Sequence, residues 1–399
     1  MIIRKAFKFR LKTNAEQQMM LRQFAGCCRK VWNMTLAEQK QRLDNSEFCE
    51  RYNTFAKQLP VWKQSEEYAW LRDAPASALQ QKLKDLDKAI RDAFDKKQPL
   101  KRFPKFKKRG VGDSFRIPQP SQFELGKSRI KLPKIGWLNY FDSWAIEGAP
   151  KQATVSHASG HWYVSIQTEI EMKSPTHHSI TDIGIDMGVS KLFALSNETN
   201  IEPLNSFKGQ QVKLAKLQRR LTKKKKFSNG WHKQKRKIQR LHTKIANCRK
   251  DYLHKSTTEL SKNHAMIVIE DLQVSNMSKS ARGNLEQPGK NVKAKSGLNR
   301  AILDQGWSEA RRQLEYKQRW RGGHVVAVAP QYTSQKCSCC GHIDKSSRLS
   351  QEKFCCTQCG FQLNADTNAA KNILAAGHAV LAGGAEPLGA AMKPEPLAA

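Results

Sequence analysis

The sequence predicts a multidomain α/β chain: a small β-barrel interrupted by a helical insertion, then an α/β domain interrupted by a metal-binding ribbon. Three observations carry this. An alternating strand pattern at the N-terminus gives way to a long helical stretch before strand signals return near residue 114. Apolar strand patterns then alternate with helical ones through the C-terminal half. Between the last of those strands and a final helix stands a paired C-x2-C motif.

At 399 residues the chain is long enough for two or three domains. Seventy Lys plus Arg against thirty-five Asp plus Glu leave a formal net charge of +35. A folded protein of that charge repels itself unless a polyanion neutralises it, and nucleic acid is the first candidate partner. An anionic membrane surface competes, but the chain has no apolar run of about eighteen or more residues. Met1 to Leu11 alternates apolar and basic residues and lacks the apolar core of a signal peptide. The expectation is an intracellular protein with no membrane partner.

Taken in order, Ile2 to Leu11 alternates as a strand, and Thr13 or Asn14 caps the helix that follows. Helical periodicity runs to about Lys97, with Leu79, Leu83, Leu86, Ile90 and Phe94 forming one stripe, and Trp32, Trp62 and Trp70 assigned to the helical core. Short strands are expected at Ser114 to Pro118, Ser128 to Leu132, Ala153 to His157 and Trp162 to Thr168, punctuated by Gly and Pro as in a small barrel. Just before them, Lys105, Lys107 and Lys108 interleave with Phe103 and Phe106. Cations for phosphates and rings for stacking suit a single-stranded or A-form groove, although a solvated basic loop has the same composition.

Thr181 to Gly188 and Val189 to Ser196 read as two strands around a tight turn, with Asp186 on the first. Lys208 to Lys250 contains seventeen Lys or Arg and no Asp or Glu. Leu214, Leu217 and Leu221, then Ile238, Leu241 and Ile245, keep helical spacing, which gives two basic amphipathic helices broken near Ser228 to Gly230. Lys223, Lys224, Lys225 and Lys226, with Lys235 and Arg236 beyond the break, are its candidate phosphate contacts. Met266 to Glu270 is an apolar strand ending on a carboxylate, and Ser275 to Ser296 reads as a mobile loop. Asp304 to Trp320 reads as helical and His324 to Ala329 as a buried strand. A last helix starts near Asp366, and from Gly377 onward the composition suggests a disordered tail.

The ribbon holds six of the ten cysteines. Cys337 with Cys340 and Cys356 with Cys359 form two C-x2-C pairs fifteen residues apart, the spacing of a closed four-thiolate site for one structural Zn2+. Cys339 and Cys355 adjoin them, so a register one residue away is open, but only the outer pairing gives both pairs the same C-x2-C-G form. Gly341 and Gly360 after each pair permit a tight turn with positive φ. Four thiolates leave no open position for zinc catalysis.

Asp186, Glu270 and Asp366 lie on a first strand, at the end of a later strand and at the start of a helix packed on that sheet. Three such carboxylates can share two Mg2+ ions, which activate water and stabilise the leaving oxygen of a phosphodiester. Each also has an ordinary reading, as a turn residue, a strand-end acid and a helix-dipole partner. Their joint placement is what makes them candidates for catalysis and for magnesium.

The Asp186-Met187-Gly188 strand end, Ile269-Glu270-Asp271-Leu272, Thr333-Ser334-Gln335-x-Cys337 and Asp366-x-Asn368-Ala369-Ala370-x-Asn372-Ile373 resemble TnpB (OrfB), the transposon-encoded relatives of type V CRISPR effectors. The resemblance runs from the opening strand to about Ala376, with its specific motifs in the C-terminal part. It implies a wedge β-barrel formed by residues 1–12 and 99–175, carrying a helical recognition lobe at 13–98. It implies a RuvC (RNase H-like) nuclease domain at 176–332 and 362–376, a zinc ribbon at 333–361 and a tail at 377–399. It also implies a guide RNA from the transposon end, cleavage of double-stranded DNA next to a short transposon-adjacent motif, and a cytoplasmic prokaryotic protein, nucleoid-associated when bound to DNA. Ser77, Gln80 and Gln81 resemble the recognition-lobe helix that reads this motif, and Gln suits base edges. Many relatives carry an arginine before the last aspartate, where this chain has Ala365. A nuclease-inactive RNA-guided repressor and a DNA transposase are the alternatives in other functional classes.

Overall fold

The computed structural model describes residues 1–383, which divide into two compact units, 1–173 and 174–383. No helix of the described residues is long and apolar enough to cross a membrane.

The first unit begins with β1 (Ile2–Lys12), followed by α1 (Ala15–Asp44), α2 (Tyr52–Gln64) and α3 (Ala76–Phe94). Six strands follow: β2 (Ser114–Ile117), β3 (Glu124–Gly126), β4 (Arg129–Leu132), β5 (Gly136–Tyr140), β6 (Ala149–Ala158) and β7 (His161–Glu171). They form one antiparallel sheet in the order β2-β6-β7-β1-β5-β4-β3. The long β1 pairs β7 from Ile2 to Arg10 and passes to β5 at Leu11 and Lys12. The expected barrel is not closed by hydrogen bonds, because β2 and β3 remain its two edges. Both are short, four and three residues, and α3 packs against β2.

Asn14, not Thr13, caps α1: its side chain accepts from Gln17 N, and the Gln17 side chain accepts from Asn14 N, a complete capping box. The helices do not fold apart from the sheet. Phe24, Cys27 and Leu79 share one core with Phe9, Phe115 and Ile166. In the expected α3 stripe, Leu79, Leu83, Leu86 and Ile90 are buried, but Phe94 is exposed and meets Phe103 edge-on at 6.0 Å instead. The stripe ends there because α3 terminates at that residue. Trp32 is buried and Trp62 half-buried in the core, whereas Trp70 is 40 % exposed, its indole spent on Glu67 O within a single turn.

The second unit runs through β8 (Asp182–Asp186), β9 (Phe193–Leu195), β10 (Asn200–Ile201), α4 (Gln211–Thr222), α5 (Asn229–Asn263) and β11 (Met266–Glu270). It continues with α6 (Val274–Met277), α7 (Val292–Gln305), α8 (Trp307–Arg321) and β12 (His324–Val328), then the small hairpin β13 (Lys353–Cys355) and β14 (Gln362–Asn364), and α9 (Ala365–Ala382). The sheet order is β10-β9-β8-β11-β12, with β8, β11 and β12 mutually parallel. Helix α8 packs one face through Trp307, Ala310 and Leu314, and α9 packs the other through Ile373. Every residue of β11 is therefore buried.

The stretch Asp304 to Trp320 is helical as expected, but it spans the junction of α7 and α8, broken at Gly306, whose φ of 73° no ordinary helix residue adopts. Two expectations are corrected here. The Ser275 to Ser296 loop is shorter than expected, since α6 and α7 take its ends. The tail does not start at Gly377: α9 continues to Ala382, because Gly377 is buried on β11, where an added Cβ would lie 2.4 Å from Val268 Cγ2. The remainder of that expected tail, residues 384–399, lies outside the described residues.

Candidate active site

Parallel pairing sets Ile185 beside Ile269, so the next residues, Asp186 and Glu270, stand side by side at the carboxyl ends of β8 and β11. This is the end of a parallel sheet where ligands bind in α/β folds. Asp366 reaches the same place from the first turn of α9. Its approach depends on Gly184 in β8: a Cβ there would stand 2.2 Å from Ala370 O, so only glycine lets the helix backbone sit this close to the strand. Asn364 starts α9, its Oδ1 accepting from Asp366 N and Thr367 N.

The electrostatics report the same convergence. The Asp186 carboxyl is pushed up to about 7, first by burial and then by the charges of Glu270 and Asp366, with Arg348 acting in the opposite direction. Glu270 is also raised by burial, which the hydrogen bond from Thr333 partly offsets. That bond, Thr333 Oγ1 to Glu270 Oε1 at 2.6 Å, gives the Thr333-Ser334-Gln335 segment a physical role. Crowded, half-desolvated carboxylate oxygens are the donor set that suits Mg2+. Arg348, which sequence reasoning missed, comes from the ribbon, and its Nη2 lies 3.5 Å from Asp366 Oδ1. Nothing in its local sequence marks it; only the fold carries it across eighteen residues.

The ribbon gathers Cys337, Cys340, Cys356 and Cys359, with all four sulfurs within 4.8 Å of one another. Cys337 Sγ lies 3.8 Å from Cys359 Sγ and Cys340 Sγ 3.6 Å from Cys356 Sγ. A tetrahedral ion with Zn–S bonds of about 2.3 Å requires sulfurs roughly 3.8 Å apart, so the donor set fits zinc. Cys339 and Cys355 stand outside the cluster, which removes the alternative register. Gly341 and Gly360 have φ of 78° and 70°, as the knuckle turns require. The ribbon is held to the sheet by two asparagines of α9. Asn368 donates to Lys336 O and accepts from Ser338 N, while Asn372 donates to Thr333 O and Lys336 O. The same helix thus aims Asp366 and anchors the strand exit that holds Glu270.

The candidate nucleic-acid residues are dispersed. Ser77 is half-buried at the start of α3, Gln80 is exposed, and Gln81 donates to Asp85 Oδ1 at 2.9 Å. Lys105 and Lys108 are exposed, but the Lys107 ammonium sits 3.8 Å from the centre of the Trp32 ring. Burial and the nearby Lys82 lower its pKa to about 8. Lys223, Lys224, Lys225 and Lys226 are exposed between α4 and α5, and Lys235 and Arg236 are exposed on the first turns of α5.

A family model described as "Probable transposase" (OrfB of IS605) matches residues 165–281, and one described as "Cas12f1-like, TNB domain" matches residues 307–373. A third, described as "Helix-turn-helix domain", matches residues 1–47, which here form β1 and the single long helix α1. The chain is 56 % identical over 379 residues to "Putative RNA-guided DNA endonuclease InsQ" of Escherichia coli, covering 95 % of this chain and 94 % of that one. It is 32 % identical over 391 residues to a "Putative RNA-guided DNA endonuclease" of Streptomyces pristinaespiralis, covering 96 % and 91 %. The fold is similar to Cas12f1 in a cryo-EM Cas12f1-sgRNA-target DNA complex, with a TM-score of 0.55 at 15 % identity over 93 % of this chain and 98 % of that one. The chain belongs to the TnpB (OrfB) family, which is related to the type V CRISPR effectors.

Proposed function

We propose that this protein is an RNA-guided DNA endonuclease that cleaves double-stranded DNA beside a short transposon-adjacent motif, with Asp186, Glu270 and Asp366 as its catalytic carboxylates. The observation that carries the reading is their convergence at the carboxyl ends of two parallel strands, within a chain of net charge +35. A protein that gathers nucleic acid by cationic surface yet crowds three acids into one buried corner has a use for metal-held phosphates there. The names of the two relatives support the same activity.

On this reading the five-stranded sheet with α8 and α9 is the RuvC (RNase H-like) nuclease domain. The seven-stranded sheet is the wedge, and α1 to α3 are the recognition lobe, with Ser77, Gln80 and Gln81 near the adjacent motif. When bound, two Mg2+ ions supply water activation and charge relief at the leaving oxygen. The chain's own contribution is to hold the ligands rigidly. Asp186 and Glu270 are fixed by strands, Thr333 orients one oxygen of Glu270, and α9 fixes Asp366. Arg348 places a guanidinium beside the acids, suited to a phosphate oxygen. The four thiolates hold one structural Zn2+, and the guide RNA derives from the transposon end. The protein acts in the cytoplasm, on the nucleoid.

Replacing Asp186 with Ala tests this. RNA-dependent cleavage in Mg2+ falls to background while copurifying RNA is retained; undiminished cutting removes the catalytic assignment.

A further inference from the structure

The connection between α4 and α5 carries an aromatic pair that neither folding nor catalysis explains. The hairpin has a small core of Leu214, Leu241 and Ile245, lined by Leu217 and Ile238, and Gln234 Nε2 ties α5 to Leu217 O at 2.9 Å. Beyond that tie the tip contributes nothing to the core, and residues 222 to 227 are all exposed. Phe227 is nevertheless at the tip, 68 % exposed, with φ of 67°. A large aromatic residue is rarely found in the left-handed region, and an apolar ring in water contributes no burial to offset the strain. Glycine or asparagine would make the same turn without cost.

The turn is built to keep this ring in place. Ser228 N donates to Lys225 O, and Ser228 Oγ caps α5 by accepting from Trp231 N. Phe227 and Trp231 therefore face each other, with ring centres 5.5 Å apart and planes tilted by 57°. Lys226 lies over Phe227 at 5.4 Å and Lys235 over Trp231 at 4.9 Å. Around them stand the cations of a 43-residue run, 208 to 250, that contains no acid. Two rings in a field of lysines exclude an apolar protein partner, which would have to desolvate those ammonium groups. They match a polyanion that also presents flat π-faces.

We propose that Phe227 and Trp231 form a base-stacking platform at the tip of the α4–α5 hairpin, with Lys223 to Lys226 holding the flanking phosphates. The ligand is an unstacked or terminal base of the nucleic acid that the protein carries or cuts. The platform rests on the nucleic-acid-binding part of the proposed function, not on the carboxylates. Tilted rings leave an open wedge, which suits a base at the end of a helix or in a single strand better than one inside a continuous duplex.

The test uses the full chain with its copurified RNA, probed with single-stranded and duplex DNA carrying 2-aminopurine at successive positions, and in parallel with RNA oligonucleotides carrying the same reporter. Phe227→Gly relieves the left-handed strain, so its thermal midpoint is equal to or above that of the unaltered protein. Its affinity is about tenfold weaker and the reporter's quenching is lost at one position. The slope of affinity against salt is unchanged, because no phosphate contact is removed. Phe227→Tyr restores binding. The arm in which quenching is lost, DNA or RNA, identifies the strand. Unchanged affinity and quenching in Phe227→Gly overturn the platform while leaving nucleic-acid binding intact. Failure of the unaltered protein to bind either probe overturns both the platform and the nucleic-acid-binding reading beneath it.

Discussion

Arg348 Nη2 lies 3.5 Å from Asp366 Oδ1, joining the metal ribbon to the first turn of the last helix. The residue before Asp366 is Ala365, fully buried against Cys337, Phe354 and Cys356. That small core has no room for a larger side chain, and the guanidinium beside Asp366 comes from the ribbon. Arg348→Ala is expected to lower cleavage by roughly tenfold to a hundredfold, the scale of removing one fixed donor from developing charge. RNA retention and zinc content stay unchanged. Steady-state and single-turnover cleavage assays check this; full activity in Arg348→Ala would assign the contact to surface packing.

Gly184→Ala is expected to be among the most damaging small changes in the second unit. The new methyl meets the carbonyl oxygen of Ala370 at 2.2 Å, a backbone atom that cannot rotate away, and α9 must move off β8. The cost is about 2–4 kcal/mol, with cleavage lost as Asp366 shifts. Gly377→Ala meets only side-chain atoms of Val268 and is milder. Thermal melting of the two variants should rank in that order.

Metal-stripped protein should lose stability as pH rises through the weakly acidic range. The Asp186 carboxyl goes from its ordinary value, near 3.8, up to about 7 on folding. Between those values the folded state binds more protons than the unfolded state, so the free energy of unfolding falls with increasing pH. The contribution is full below about 4 and gone above about 7, amounting to roughly 4 kcal/mol or less. In chelator, the melting temperature of the unaltered chain should drop from pH 5 to pH 7.5 by more than that of Asp186→Asn. Parallel pH curves for the two would contradict the crowding.

One equivalent of zinc per chain is expected by metal analysis, lost when Cys337 and Cys356 are both changed to Ser. Changing Cys339 and Cys355 to Ser should leave it in place, since both lie outside the four-sulfur cluster. Loss of the metal should also impair cleavage, because Asn368 and Asn372 couple the ribbon to α9. Zinc retained without Cys337 and Cys356 would refute the ligand set.

The sequence by itself determined whatever is local. The C-x2-C-G spacing marks the four thiolates, alternation marks β1, β6 and β7, and the acid-free run marks the basic hairpin. The three carboxylates were legible because each closes or opens an element with a clear periodicity. Tertiary structure decided what depends on distant contact. Phe94 is exposed although it continues an apolar stripe, because its helix ends there. Lys107, which composition does not distinguish from Lys105 and Lys108, turns inward over Trp32. Arg348 has no pattern around it, and although Thr333 opens a recognisable motif, the physical role of each comes from the acid it meets across the fold. Periodicity records which face of an element is buried. It carries no information about which element will be packed against that face, and the close approach allowed by Gly184 is what brings the third carboxylate to the other two.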